Sequence, residues 1–312
     1  MDHPEVIVIG SVAIDRIMNF SGQYRDLIDQ ENIEILSVSV LVDTLEIAEG
    51  GTGGNISSNL ARLGENPILL SSVGNDAKSY VDRLSNLGVN SSKINFSKLP
   101  TASFNVLTDS AENQVGGFYP GAMSDSDSLS LDVAGNDSLV WLSAYDPKTM
   151  RRICDEAKQK GNYLFYDPGQ QITNISPEDV KAGIEAATGL IVNEYEYRAA
   201  LNKTGFSHED LLENIDLLVV THGKHGSKIF KKDQAAIDIE PVKPTNIVDP
   251  TGAGDAYRSG FMYGYLRQWD LVKSGRLGSV MASFALEQHG PQAEITKEQI
   301  AARFKENFKE EL

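Results

Sequence analysis

Cysteine is nearly absent from these 312 residues: Cys154 stands alone, which excludes an intrachain disulfide and a cysteine-built zinc site. A reducing, cytoplasmic setting is expected. No apolar run is long enough to cross a bilayer, and Met1 leads into Val6-Ile7-Val8-Ile9 without a basic segment. Neither a membrane partner nor a signal peptide is therefore expected. Basic residues are also scarce. Against 44 Asp and Glu stand 28 Lys and Arg, a net charge of −16, so the chain is not built to neutralise a nucleic-acid backbone. A nucleotide-sized substrate needs only local positive potential and stays admissible. Neither G-x-x-x-x-G-K-[ST] nor G-x-G-x-x-G occurs, so a bound nucleotide has to be held at helix ends. Repeats, low-complexity tracts and Pro/Ser-rich linkers are missing too. With 41% apolar and 23% charged residues the chain reads as globular, one unit spanning 1–312.

What is present first is strand pattern. Residues 6–12 form a short apolar run suited to a strand buried on both faces of a parallel sheet, with Asp15 following its C-terminal end, the ligand side of such sheets. From residue 138, apolar runs at 139–142, 163–166, 189–192 and 217–220 alternate with helical stretches, predicting an α/β fold with a mostly parallel sheet. The stretches 14–20, 33–42, 93–98, 102–108 and 114–119 are strand-like outside that rhythm. They predict a small β-sheet lid built from about 14–49 and 93–122. The segment 67–74 reads as one strand.

Three glycine-bearing segments carry candidate chemistry. In Asp249-Pro250-Thr251-Gly252-Ala253-Gly254-Asp255, a turn feeds a helix, so the amides of Gly252, Ala253 and Gly254 sit at a positive helix end that attracts phosphate. Asp255 is an anion where an anion would bind, which suits a base acting on an attacking hydroxyl. It reads equally as a residue that merely complements the helix dipole. Gly50-Gly51-Thr52-Gly53-Gly54-Asn55 leads into a helix at 56–63 and reads as an exposed backbone loop, either ligand-binding or a flexible connector. Thr221-His222-Gly223-Lys224-His225-Gly226 follows a strand; its two histidines lack a third metal ligand. Asn193-Glu194-Tyr195-Glu196, at another strand end, opens a helix and could serve as its cap.

The 249–255 segment resembles the D-T-x-G-A-G-D signature of the PfkB (ribokinase-like) carbohydrate and nucleoside kinases, and the Gly50, Gly51 and Asn55 spacing, Asn193-x-x-Glu196 and Thr221-x-Gly223-x-x-Gly226 resemble further motifs of that family. The resemblance runs over nearly the whole chain. It implies a ribokinase-like three-layer α/β/α fold with a small β lid, and ATP with Mg²⁺ as cofactors. By that likeness Asp255 is the catalytic base and Gly252, Ala253 and Gly254 form the anion hole. Asp15, Gly50, Gly51 and Asn55 would hold sugar hydroxyls. Thr221, Gly223, Gly226, Asp249 and Thr251 would lie near ATP, and Asn193 and Glu196 would position Mg²⁺ through water. Tyr119-Pro120-Gly121-Ala122-Met123, Asp167-Pro168-Gly169-Gln170 and Gly254-Asp255-Ala256-Tyr257-Arg258 resemble the nucleoside-kinase branch, which adds Gln170 to the substrate residues. Phe104 and Phe118 are further candidates for the base. The implied activity is phosphorylation of the 5′-hydroxyl of adenosine, inosine, guanosine or cytidine.

Departures from the family pattern keep two rivals open. Thr52 stands where some ribokinases carry lysine, and Arg258 replaces a small or apolar residue, either to touch a phosphate or to lie on the helix surface. A ribose or fructose kinase would use the same machinery, and a non-catalytic ligand-binding regulator the same fold. A monovalent cation such as K⁺ near Asp249, and a homodimer through the lid, complete the expectations. The loop 289–292 is expected beside the adenine.

Overall fold

Burial alternates along the first strand and sets the architecture. In β1 (Val6–Ile9), Val6 and Val8 enter one apolar core and Ile7 and Ile9 a second on the opposite face, as a strand covered on both sides requires. The computed structural model describes residues 4–28 and 37–312. Parallel to β1 on one side lies β4 (Ile68–Leu70). On the other follow β9 (Leu139–Leu142), β10 (Tyr163–Tyr166), β11 (Gly189–Asn193) and β12 (Leu217–Thr221), all parallel. Antiparallel β13 (Ser227–Phe230) and β14 (Ile237–Ile239) complete the eight strands.

Helices cover both faces, giving three layers. One core takes apolar residues from α2 (Thr52–Arg62), α3 (Lys78–Leu87), α8 (Ala253–Leu266), α9 (Leu271–Ala285) and α10 (Lys297–Phe308). The other takes them from α4 (Pro147–Lys160), α5 (Pro177–Ala186), α6 (Glu194–Thr204) and α7 (His208–Asn214). Helix limits follow local chemistry: α4 starts where the Asp146 carboxylate accepts the Thr149 amide, and stops at Gly161 with φ 72°. A single turn, α1 (Tyr24–Leu27), precedes the undescribed residues.

A second sheet stands apart, in the order β3-β2-β7-β8, formed by β2 (Ala13–Asn19), β3 (Thr44–Gly50), β7 (Ala102–Thr108) and β8 (Gln114–Tyr119). Its register puts Asp15, Ala48, Phe104 and Phe118 in one cross-strand row, hence on one face.

Several expectations change. Of the strand expected at 33–42, residues 33–36 lie outside the described residues and 37–42 form no strand. The partner of β2 is β3 instead, because the Asp43 amide donates to the Asn19 carbonyl at 2.8 Å and fixes the register from there to Gly50. The run at 67–74 breaks at Ser71, whose hydroxyl donates to the Gly10 carbonyl at 2.8 Å. Beyond that break, β5 (Ser72–Gly74) pairs with β6 (Asn95–Ser97) in a small sheet of its own, so 93–98 does not join the second sheet. The glycine stretch is not an exposed loop either: α2 already begins at Thr52, and Gly53 and Gly54 are buried in its first turn.

Candidate active site

The glycine segment is fixed where the strand order reverses, between β1 and β9, the position at which open α/β sheets bind ligands. The Thr52 amide donates to Ser11 Oγ at 3.1 Å, Thr52 Oγ1 meets Ser143 Oγ at 2.9 Å, and the Gly54 amide donates to the Ser11 carbonyl at 3.1 Å. Backbone touches backbone here. A Cβ on Gly53 would lie 2.6 Å from the Gly10 carbonyl, and one on Gly10 2.7 Å from the Gly53 nitrogen. Gly51 caps α2, and a Cβ on Gly50 would lie 2.8 Å from Asp15 Oδ2, so the Asp15 carboxylate rests against the entrance to this helix. Burial raises Asp15 from the usual 3.8 to about 6.

The head of α8 faces that of α2. Gly252 takes φ 77°, and a Cβ there would also lie 2.5 Å from the Pro291 carbonyl, so the turn admits only glycine. The turn itself is held by Asp249, whose Oδ1 accepts the Thr251 amide at 2.8 Å and whose Oδ2 accepts the Gly290 amide at 3.0 Å. Burial would raise Asp249, but these hydrogen bonds outweigh it and hold the carboxyl below its ordinary range. Ala253 and Gly254 open the helix; the Ala253 amide donates to the Pro250 carbonyl at 3.3 Å, whereas a first-turn amide such as that of Gly254 has no intrahelical carbonyl to bond. Asp255 Oδ2 accepts Asn55 Nδ2 at 2.8 Å. Burial pushes the Asp255 carboxyl up, partly offset by Arg258 and the Asn55 hydrogen bond.

Arg258 neither lies on the helix surface nor faces solvent. It is buried, with Nε 2.6 Å from Asp167 Oδ2 and Nη2 3.4 Å from Glu196 Oε2. A Cβ on Gly254 would fall 2.7 Å from Nη1, so the guanidinium also backs the head of α8. Burial alone would lower the Arg258 pKa, but Asp167, Glu196 and Asp255 outweigh it and hold the side chain charged. Three carboxylates around one guanidinium leave surplus negative charge. Burial raises Asp167 against the opposing pull of Arg258.

The remaining candidates occupy other strand ends on the same edge. Asn193 and Glu196 form a capping box on α6, each bonding the other's amide at 2.8 Å, so the cap and the placement beside the site coexist. Thr221 pairs with Asn193 across β11 and β12. Gly223 and Gly226 bracket the turn that follows, and Gln170 is exposed after β10. His222 pairs with Glu194 at 3.5 Å, and among the described residues no group of three or more His, Cys, Asp or Glu could hold a metal. A cavity of about 730 Å³ opens at the opposite edge, where β9, β10 and β12 begin, away from all these residues.

Two pairings were not among the expectations: the ion pairs of Arg258, and Gln292 against Asn55. Arg258 sits between Tyr257 and Ser259 in a helix buried nearly all round, and that pattern alone demands a paired cation. Gln292 has no comparable local signal, yet its Nε2 donates to Asn55 Oδ1 at 3.0 Å.

Sheet order, covering layers and second sheet together define a ribokinase-like α/β protein. The profile of the pfkB family carbohydrate kinases matches residues 4–298, and the chain belongs to that family of phosphotransferases. It is 33% identical over 294 residues to a nucleoside kinase of Methanocaldococcus jannaschii, covering 93% of each chain. The Burkholderia thailandensis nucleoside kinase in complex with inosine superposes with a TM-score of 0.88 at 31% identity, over 98% of this chain and 100% of that one. The same enzyme in complex with ADP-inosine gives 0.85 at 32% identity, over 98% and 97%.

Proposed function

We propose that the protein transfers the γ-phosphoryl group of ATP to the 5′-hydroxyl of a nucleoside. The observation that carries this reading is the Asn55–Asp255 hydrogen bond, which holds a half-buried carboxylate at the mouth between two helix heads. Asp255 takes the 5′-hydroxyl proton, the oxygen bonds to the γ-phosphorus, and the bond from that phosphorus to its bridging oxygen breaks to release ADP. The upward-shifted Asp255 is a better proton acceptor than an ordinary aspartate. Amides at the head of α8, from Gly252, Ala253 and Gly254, stabilise charge on the transferred group. Gly50, Gly51 and Asn55, with Asp15, hold the ribose. Thr221, Gly223, Gly226, Asp249 and Thr251 border the ATP.

Mg²⁺ carried by the ATP phosphates neutralises their charge. The residues fit an ion that arrives with the nucleotide rather than a resident one. Glu196 Oε2 is held by the Asn193 amide and Arg258, and Asn193 Oδ1 accepts the Glu196 amide, which leaves Glu196 Oε1 and the second lone pair of Asn193 Oδ1 to meet metal-bound water. Both Asp249 oxygens accept amides, so K⁺ beside this loop would rely on carbonyl donors. Phe104 and Phe118, in the Asp15 row of the second sheet, favour a nucleoside over a free sugar, because they offer aromatic surface for a base. That sheet acts as a lid that excludes water. Its other face exposes Leu45, Ile47 and Val115, where a second copy binds to make a homodimer. The lone, buried Cys154 suits the cytoplasm.

The test is ATP consumption with Mg²⁺ against adenosine, inosine, guanosine, cytidine, ribose and fructose, with Asp255→Asn as blank. Turnover on nucleosides supports the reading, turnover on sugars alone replaces it with a sugar kinase, and no turnover on any of them favours a ligand-binding regulator.

A further inference from the structure

A chain of five polar side chains joins the second sheet to Asp255. Glu49, next to last in β3, pairs with Arg83 of α3. Arg83 Nη2 donates to Gln292 Oε1 at 2.8 Å, Gln292 Nε2 donates to Asn55 Oδ1 at 3.0 Å, and Asn55 Nδ2 donates to Asp255 Oδ2 at 2.8 Å. Gln292 also donates to the Tyr80 hydroxyl, which donates in turn to the Gly50 carbonyl at 3.0 Å. No link of this chain is local in sequence.

The order of donors and acceptors is forced from both ends. An arginine can only donate and an ionised aspartate can only accept. Two carboxamides in series between them have one arrangement that satisfies every contact: each presents oxygen toward Arg83 and nitrogen toward Asp255. Turning either amide over sets donor against donor at one contact or acceptor against acceptor at another. Gln292 thus decides which end of Asn55 faces the base, and Arg83 decides the same for Gln292.

We propose that Gln292 is a positioning residue, fixing the Asn55 amide toward Asp255 and, through Arg83 and Glu49, coupling the base to lid strand β3. The inference rests on the reading of Asp255 as the base. Pro291 places the side chain: its carbonyl meets Gly252, and its ring lies 3.6 Å from where a Gly50 Cβ would be. One short segment therefore spans both helix heads. Displacing β3 moves Glu49, releases Arg83, and leaves the two amides oriented only from the Asp255 and Tyr80 side.

The groups that set the titration of Asp255 are Asn55 on α2, Arg258 on α8 and Glu196 on α6, and Asp167 after β10 shares the same charge cluster. Losing the ordered Asn55 donor removes a hydrogen bond to the charged form, so the acidic limb of kcat/KM moves to higher pH.

The experiment compares wild type, Gln292→Met, Arg83→Met, the double variant and Asp255→Asn in pH profiles, with unfolding midpoints measured alongside. Gln292→Met is expected to lower kcat about 10-fold, as a slightly misaimed reacting group does. Its acidic limb rises, Arg83→Met does the same more weakly, and the double variant is no worse than Gln292→Met. A lowered midpoint with a wild-type limb and kcat in both single variants would overturn the inference. Turnover retained by Asp255→Asn would instead remove the reading of the base on which it stands.

Discussion

Asp167 and Arg258 form the most deeply buried ion pair among the described residues, 2.6 Å apart with side chains 3% and 8% exposed. Such a pair is weak evidence for stability, but removing one partner strands a buried charge. Arg258→Met is expected to cost about 3–5 kcal/mol of folding stability, read from urea unfolding. Adding Asp167→Asn to that variant should recover part of the loss. Equal midpoints for wild type and Arg258→Met would mean the cluster is not closed to water.

Asp255→Asn is expected to lower kcat by at least ~10²-fold, the scale of a lost general base. Nucleoside binding, followed by calorimetry without ATP, should survive, because an asparagine oxygen still accepts from Asn55. Near-normal turnover would take Asp255 out of the role.

Asp15 ties stability to pH. Its carboxyl titrates at about 6 when folded against 3.8 ordinarily. Between those values the folded protein holds a proton that the unfolded chain has released, so stability declines as pH climbs through that window, and the whole loss stands above about pH 6. Asp15→Asn escapes this loss, worth up to about 3 kcal/mol at 1.36 kcal/mol per unit. The variant should unfold at a higher temperature than wild type above about pH 7 and lose that advantage near pH 4, while its KM for nucleoside rises. An advantage independent of pH would contradict a buried charge.

Phe104→Ala is expected to raise the nucleoside KM about 10-fold with kcat little changed, the loss of one aromatic contact of roughly 1.4 kcal/mol. Steady-state rates with a nucleoside and with ribose separate the cases. An equal effect on both would place Phe104 in the folding of the lid rather than against a base.

The alternating elements from residue 138 onward were legible because apolar runs bounded by caps and glycines encode a buried parallel strand within a few residues. So was the head of α8, since Gly252, Gly254 and Asp255 are neighbours in sequence. The start of β3 was not, because the register comes from the Asp43–Asn19 backbone bond and not from β propensity. Gly53 and Gly54 were misread for a similar reason. Four glycines in five residues suggest freedom, whereas here contact with Gly10 confines them to a helix. The loop 289–292 was expected beside the adenine, but the pairing of Gln292 with Asn55 was not legible, because its partners are brought together only by the finished fold.

Asn55 lies 200 residues from Asp255 and 237 from Gln292. A ribosome therefore makes the two halves of the site at widely separated times. A nascent chain that has folded through β12 already carries Asp15 and the Gly50–Asn55 turn, but neither Asp255 nor the α8 head. If Asp255 acts as proposed, transfer to any acceptor waits at least until α8 has emerged. A chain that stops short of α8 is accordingly expected to consume no ATP, so synthesis itself would keep the catalyst silent until its last quarter is made.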